Sequence, residues 1–176
     1  MEGMQTTSTV VTTTPQPGHY DIDLRRSRVT FATRHLFGLG RVKGSFAIRG
    51  GTADVADPIE ASAIYAEIDA ASFHTRNPAR DGSVLSPRFL DPAGHPVLIF
   101  RSDRIDAGSQ VLPGMLTVRG TTRPVTLAIT WCEASRGSFA ARATTRIDRT
   151  ESGITAARGL AARYLDLTVE IQCTRN

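Results

Sequence analysis

Ala79-Arg80-Asp81-Gly82-Ser83-Val84-Leu85-Ser86-Pro87-Arg88-Phe89-Leu90-Asp91, closely followed by His95-Pro96-Val97-Leu98-Ile99-Phe100-Arg101-Ser102, is the stretch that decides the fold. A polar-led segment with room for one or two helical turns runs straight into a strand. A crossover between parallel strands needs a dozen or more residues, so this junction argues against βαβ units. Outward from it the hydrophobic period is two. Tyr20-Asp21-Ile22-Asp23-Leu24, Val29-Thr30-Phe31-Ala32 and Val42 to Arg49 alternate, as do Val125 to Trp131 and Leu165 to Ile171. Such alternation marks antiparallel strands with one face apolar and the other wet. Turn signals separate the runs: Gly38, Gly40, Gly50-Gly51, Asp57-Pro58, Ala107-Gly108, Gly120, Arg136-Gly137 and Gly153. The spacing predicts about eight strands in an all-β barrel or sandwich. Helix is expected only in short pieces near residues 71–73 and 80–90.

The chain has 176 residues, which allows one domain able to hold a core without metals or disulfides. Met1 to Gly18 is built mainly of Thr, Gln, Pro, Gly and Ser. It cannot bury enough apolar area to offset its ordering entropy, so a disordered tail is expected there, with the barrel domain over 19–176. The tail has no positive n-region, and no run approaches the roughly 18 apolar residues that span a bilayer. A cytoplasmic protein is the resulting expectation.

The net charge is +4, and Lys43 is the one lysine beside twenty arginines. These arginines are scattered through alternating segments, and only 6% of the chain is aromatic. Nucleic-acid sites cluster basic residues with stacking aromatics, so no nucleic-acid partner is expected. Transient contact with an anionic membrane surface fits the charge, and a homodimer stays open.

Catalytic chemistry finds no anchor. Neither G-x-S-x-G nor S-x-x-K occurs, and Ser83 and Ser86 have no evident base. No two histidines share a ligand spacing, and Cys132 and Cys173 have no nearby partner of metal-binding type, so neither metal nor cofactor is expected. In a reducing compartment both thiols are expected to be free, and since each sits near the end of a strand-like run their pairing stays open. The apolar positions are the better candidates: Phe31, Phe37, Phe46, Ile64, Ile68, Phe73, Phe89, Phe100, Ile129, Trp131 and Leu167. As a set they suit a solid core equally well. An eight-stranded barrel either fills its interior with side chains or holds one small ligand. Seven Phe, three Tyr and one Trp are few for a filled one. His35 shares the parity of Phe31 and is expected at a rim, with Arg80 and Asp81 as polar handles or, alternatively, as a helix cap and ion pair.

Several linked motifs occur in one order: Arg80-Asp81 with Ser86, Phe89 and Asp91; Pro96, Phe100 and Ser102; then Gly114, Leu116-Thr117, Gly120, Thr122, Pro124-Val125 and Leu127. With Tyr20-x-Ile22-Asp23, Ser27-x-Val29-x-Phe31, Gly44-x-Phe46 and Arg149-x₃-Gly153-Ile154, the chain resembles the YceI-like family of lipid-binding barrels over residues 19–173. The resemblance implies an extended eight-stranded antiparallel barrel of lipocalin type around a long apolar tunnel. It also implies binding of an isoprenoid or quinone-type lipid, as carrier or sequestering protein, and no common enzymatic reaction. The alternative is a barrel enzyme cyclising or isomerising an apolar biosynthetic intermediate. The chain departs from the family pattern at Ser83 and Arg119, where relatives often have His, and at Asp148 and Ser152. These changes bear on the ligand's head group, expected near His35, Arg80 and Asp81, with Arg119 a further candidate.

Overall fold

Among the described residues the alternating runs become nine strands: β1 (Gly18–Ile22), β2 (Arg28–Thr33), β3 (Val42–Val55), β4 (Ala63–Asp69), β5 (Val97–Ser102), β6 (Val111–Val118), β7 (Thr121–Ser135), β8 (Ser138–Asp148) and β9 (Tyr164–Arg175). A computed structural model of the protein describes residues 12–34, 40–155 and 162–176. All the pairings between these strands are antiparallel. They run β3-β2-β9-β8-β7-β6-β5-β4, and β3 pairs with β4 to close the ring. β1 and β2 share one stave, because both lie between β3 and β9. Asp23 breaks that stave: its side chain accepts from the Arg25 N–H at 3.0 Å and its carbonyl from the Arg26 N–H at 3.2 Å. An aspartate that bonds its own downstream backbone makes a turn in place of ladder pairing. Nine segments thus make an eight-stranded closed barrel.

The single α-helix among the described residues is α1, Pro78–Val84, earlier than the expected 80–90. Asn77 sets its start, its side-chain oxygen accepting from the Arg80 N–H at 3.1 Å, with Pro78 in the first turn, where a missing N–H costs nothing. Residues 86–90 continue as turns, with Leu90 N–H bonded to Val84 C=O at 3.0 Å. The other short piece is a 3-10 turn at Ala70–Ser72.

α1, the β4–β5 and β6–β7 connections, the end of β2 and start of β3, and the end of β8 and start of β9 gather at one end of the barrel; the turns β3–β4, β5–β6 and β7–β8 gather at the other. Among the described residues the α1 end is closely packed. The rings of Phe31 and Phe73 stack at 5.2 Å, and Phe46 meets them at 5.8 and 5.5 Å. Phe89, Leu90, Val118 and Ile154 are buried in the same cluster. Gly44 permits this packing, since a Cβ there would stand 2.3 Å from the Phe31 ring. Burying one such ring stabilises by roughly 1.5–3 kcal/mol, so this end anchors the fold.

Part of the expected tail also differs from expectation. Thr12 forms a parallel bridge with Cys132 of β7, and the Thr13 N–H donates to the Cys132 carbonyl at 2.9 Å. The Tyr20 hydroxyl donates to the Gln16 carbonyl at 2.7 Å. Composition measures apolar area only. It does not register that the backbone at Thr12 and Thr13 pairs with a strand edge, or that the Gln16 and Pro17 carbonyls accept from the Tyr20 and Arg175 side chains.

Candidate functional site

Between the aromatic block and the opposite end the barrel is hollow, with an apolar cavity of about 420 Å³. Inward residues of all nine strands form its wall, many of them short: Ala66, Ala141 and Ala143 leave space where larger side chains would fill it. Gly114 shapes the wall differently, because a Cβ there would lie 2.6 Å from the Phe100 ring. Small-molecule sites typically occupy roughly 300–1,000 Å³ with mostly apolar walls, and this cavity falls in that range.

Five of the expected tunnel residues meet here: Ile64, Ile68, Phe100, Ile129 and Leu167. Phe31, Phe46 and Phe73 do not line the cavity; they form the block that ends it. Phe89 is buried in that block with the Arg149 guanidinium 5.8 Å from its ring centre. Trp131 stands apart from the cavity. The β7–β8 register slips between Ile129 and Trp131, and this bulge brings Cys132 inward where unbroken alternation would have placed Trp131. Phe37 and His35 lie outside the described residues.

Arg80 and Asp81 are not at the cavity. Asp81 is 9% exposed and accepts from the Thr75 N–H at 3.0 Å and the Thr75 hydroxyl at 2.5 Å. Arg80 Nε donates to the same hydroxyl at 2.8 Å. The pair therefore ties α1 to the segment after Phe73. The cap expected of Asp81 belongs to Asn77, and Arg80 bonds a threonine where a carboxylate partner was expected. Arg119 occupies the β6–β7 hairpin turn with Gly120, at φ of 50° and 74°, which is the backbone a two-residue turn of twisted strands requires. It too lies at the α1 end.

Sequence reading missed other wall residues, among them Val29, Ile48 and Leu127, although their alternation marked them as inward. It also missed Thr12 to Pro15, which close the cavity at the end opposite α1; nothing in their composition signalled this.

Both cysteines are buried and free. Cys132 reaches the cavity, and burial raises its thiol pKa. The Cys173 thiol is fully buried and pushed up to about 12, mainly by burial, with Cys132 and Asp21 adding to it. At pH 8 N-ethylmaleimide is therefore expected to modify Cys132 well before Cys173, with Cys173 reacting only on unfolding. Mass spectrometry of peptides over a time course checks this; equal rates would contradict the burial difference. Among the described residues no group of three or more His, Cys, Asp or Glu side chains is placed to hold a metal. No helix among them is long and apolar enough to cross a membrane.

The model of the YceI-like domain matches residues 20–174. A UPF0312 protein of Azotobacter vinelandii is 28% identical over 157 residues, covering 84% of this chain and 81% of that protein. Among solved structures, Burkholderia cenocepacia BcnA superposes with a TM-score of 0.73 at 17% identity, covering 88% of this chain and all of that one. A polyisoprenoid binding domain from Saccharophagus degradans, implicated in plant cell wall breakdown, superposes with a TM-score of 0.70 at 12% identity, covering 92% and 100%. Likeness at these identities establishes the shared barrel.

Proposed function

The chain belongs to the YceI-like family, and we propose that it holds the apolar chain of an isoprenoid or quinone-type lipid inside its barrel, as a carrier or sequestering protein. The observation that carries this reading is the cavity of about 420 Å³, walled mostly by aliphatic side chains with Phe100 and Phe139. The Saccharophagus neighbour, a polyisoprenoid binding domain, supports the same ligand class. Each buried CH₂ contributes roughly 0.8 kcal/mol, so one five-carbon unit supplies about 3–4 kcal/mol. Association costs are of order 4–15 kcal/mol, so two units bind marginally and several bind well. A carrier needs no catalytic group in that space.

Native mass spectrometry of protein purified from its own host, followed by solvent extraction, tests the reading. An intact prenyl lipid released in near-stoichiometric amount is the expected result. A lipid that the purified protein converts chemically would make it an enzyme instead. An empty barrel that takes up no added prenyl lipid would refute the carrier reading.

A further inference from the structure

The cavity is closed on one side by residues that precede the matched domain. β6 reaches only as far as the pair Val111 and Ala128, whereas β7 continues to Ser135. Past the bond from Ile129 N–H to the Gln110 carbonyl, the β7 edge on that side has no barrel partner. Thr12 and Thr13 take that edge. Besides the Thr13 N–H bond to Cys132, the Thr13 hydroxyl accepts from the Ala134 N–H at 2.7 Å. The segment is anchored again where Gln16 receives the Tyr20 hydroxyl and the Arg175 guanidinium donates to the Pro17 carbonyl. Between these anchors Thr12 to Pro15 lie against the cavity.

We propose that Thr12–Pro15 is a strap that closes the mouth of the cavity over the ligand's polar end and restricts that end to an uncharged group. This rests on the lipid-binding reading and adds where the head lies and what it is. The aromatic block of Phe31, Phe46 and Phe73 fills the described part of the α1 end, so the head is assigned to the strap side. Among the described residues around the cavity the only cation is Arg142, and its guanidinium lies 3.8 Å from Glu170, its register partner. Arg142 is exposed while its neighbours Ala141 and Ala143 face inward, so that charge points to the outer surface. Asp54, which borders the cavity, has its carboxylate 2.5 Å from His19. His19 and Arg175 stand near the strap but line no part of the cavity, so an anionic head held inside it would be desolvated with no cation to pair it, a heavy cost. Threonine hydroxyls and strap backbone groups suit an alcohol or a carbonyl. The two hydrogen bonds to β7 are few enough to open locally while the barrel stays folded.

The test compares the full chain with a variant lacking residues 1–15 and with Thr13→Pro, which removes both the N–H donor and the hydroxyl acceptor. The probes are geranylgeraniol and geranylgeranyl monophosphate, with release timed by transfer to neutral phosphatidylcholine vesicles. The full chain should prefer the alcohol by at least tenfold, or about 1.4 kcal/mol. Both variants should release the alcohol about tenfold faster, lose much of the preference, and show faster maleimide modification of Cys132. Thr13→Pro covers the case in which truncation unfolds the barrel. Unchanged release, or a full chain that binds the phosphate as tightly as the alcohol, overturns the proposal. If neither the full chain nor either variant binds a probe, the lipid reading falls and the head-group assignment with it. Binding that persists with unchanged Cys132 labelling overturns the strap alone.

Discussion

Ala143→Phe is expected to weaken binding of a prenyl alcohol by about 100- to 1,000-fold while leaving the barrel folded. Ala143 lies in register with Ile129 of β7 and Val169 of β9, and all three line the cavity. A phenyl ring built there takes the volume of about one five-carbon unit. Losing that unit removes roughly 3–4 kcal/mol of burial, and each 1.4 kcal/mol is a factor of ten. Because the ring enters empty space, it displaces no packed neighbour, and the melting temperature should fall by no more than about 2 °C. Ala140→Phe serves as the control, since Ala140 precedes the inward Ala141 and its side chain faces away from the cavity. Titration of a fluorescent prenyl alcohol against both variants gives the answer. Equal affinity in wild type and Ala143→Phe would place the ligand outside the barrel.

Asp81→Ala is expected to lower the melting temperature by about 6–10 °C with affinity for the same alcohol nearly unchanged. The substitution leaves the Thr75 N–H and hydroxyl without their acceptor in a buried setting. Each such loss costs about 1–3 kcal/mol, and a domain of this size loses roughly 2–4 °C per kcal/mol. The ligand's head lies at the far end of the barrel in our reading, so α1 can loosen without touching it. A tenfold loss of affinity at an intact melting temperature would instead give Asp81 a direct part in recognition.

Strand period and turn spacing determined the class of this fold. Alternation in Val42 to Arg49 or Leu165 to Ile171 is local, and it fixes which side chains face inward whatever the partner strand. The linked motifs from Arg80 to Leu127 placed the chain among YceI-like barrels for the same reason, since each is a short stretch of contiguous residues. The roles of individual residues were less legible. Period two continued through Ile129 would carry Trp131 inward, but a one-residue bulge against β8 turned Cys132 inward instead. Phe31 and Leu167 share a face and are register partners, yet one belongs to the solid block and the other to the cavity wall. That division depends on where Phe73 arrives from the β4–β5 connection. Arg80 and Asp81 stand out in sequence as a charged pair. Only their distance to Thr75 showed them to be internal ties. The strap lay deepest out of reach, because its partners, the backbone groups of Cys132 and Ala134, sit more than a hundred residues away and present no side-chain pattern to match. Sequence alone determined the inward and outward faces, and so the barrel. Whether those faces meet or leave a hollow depends on the volume that remains when eight staves close, which only the tertiary structure decides.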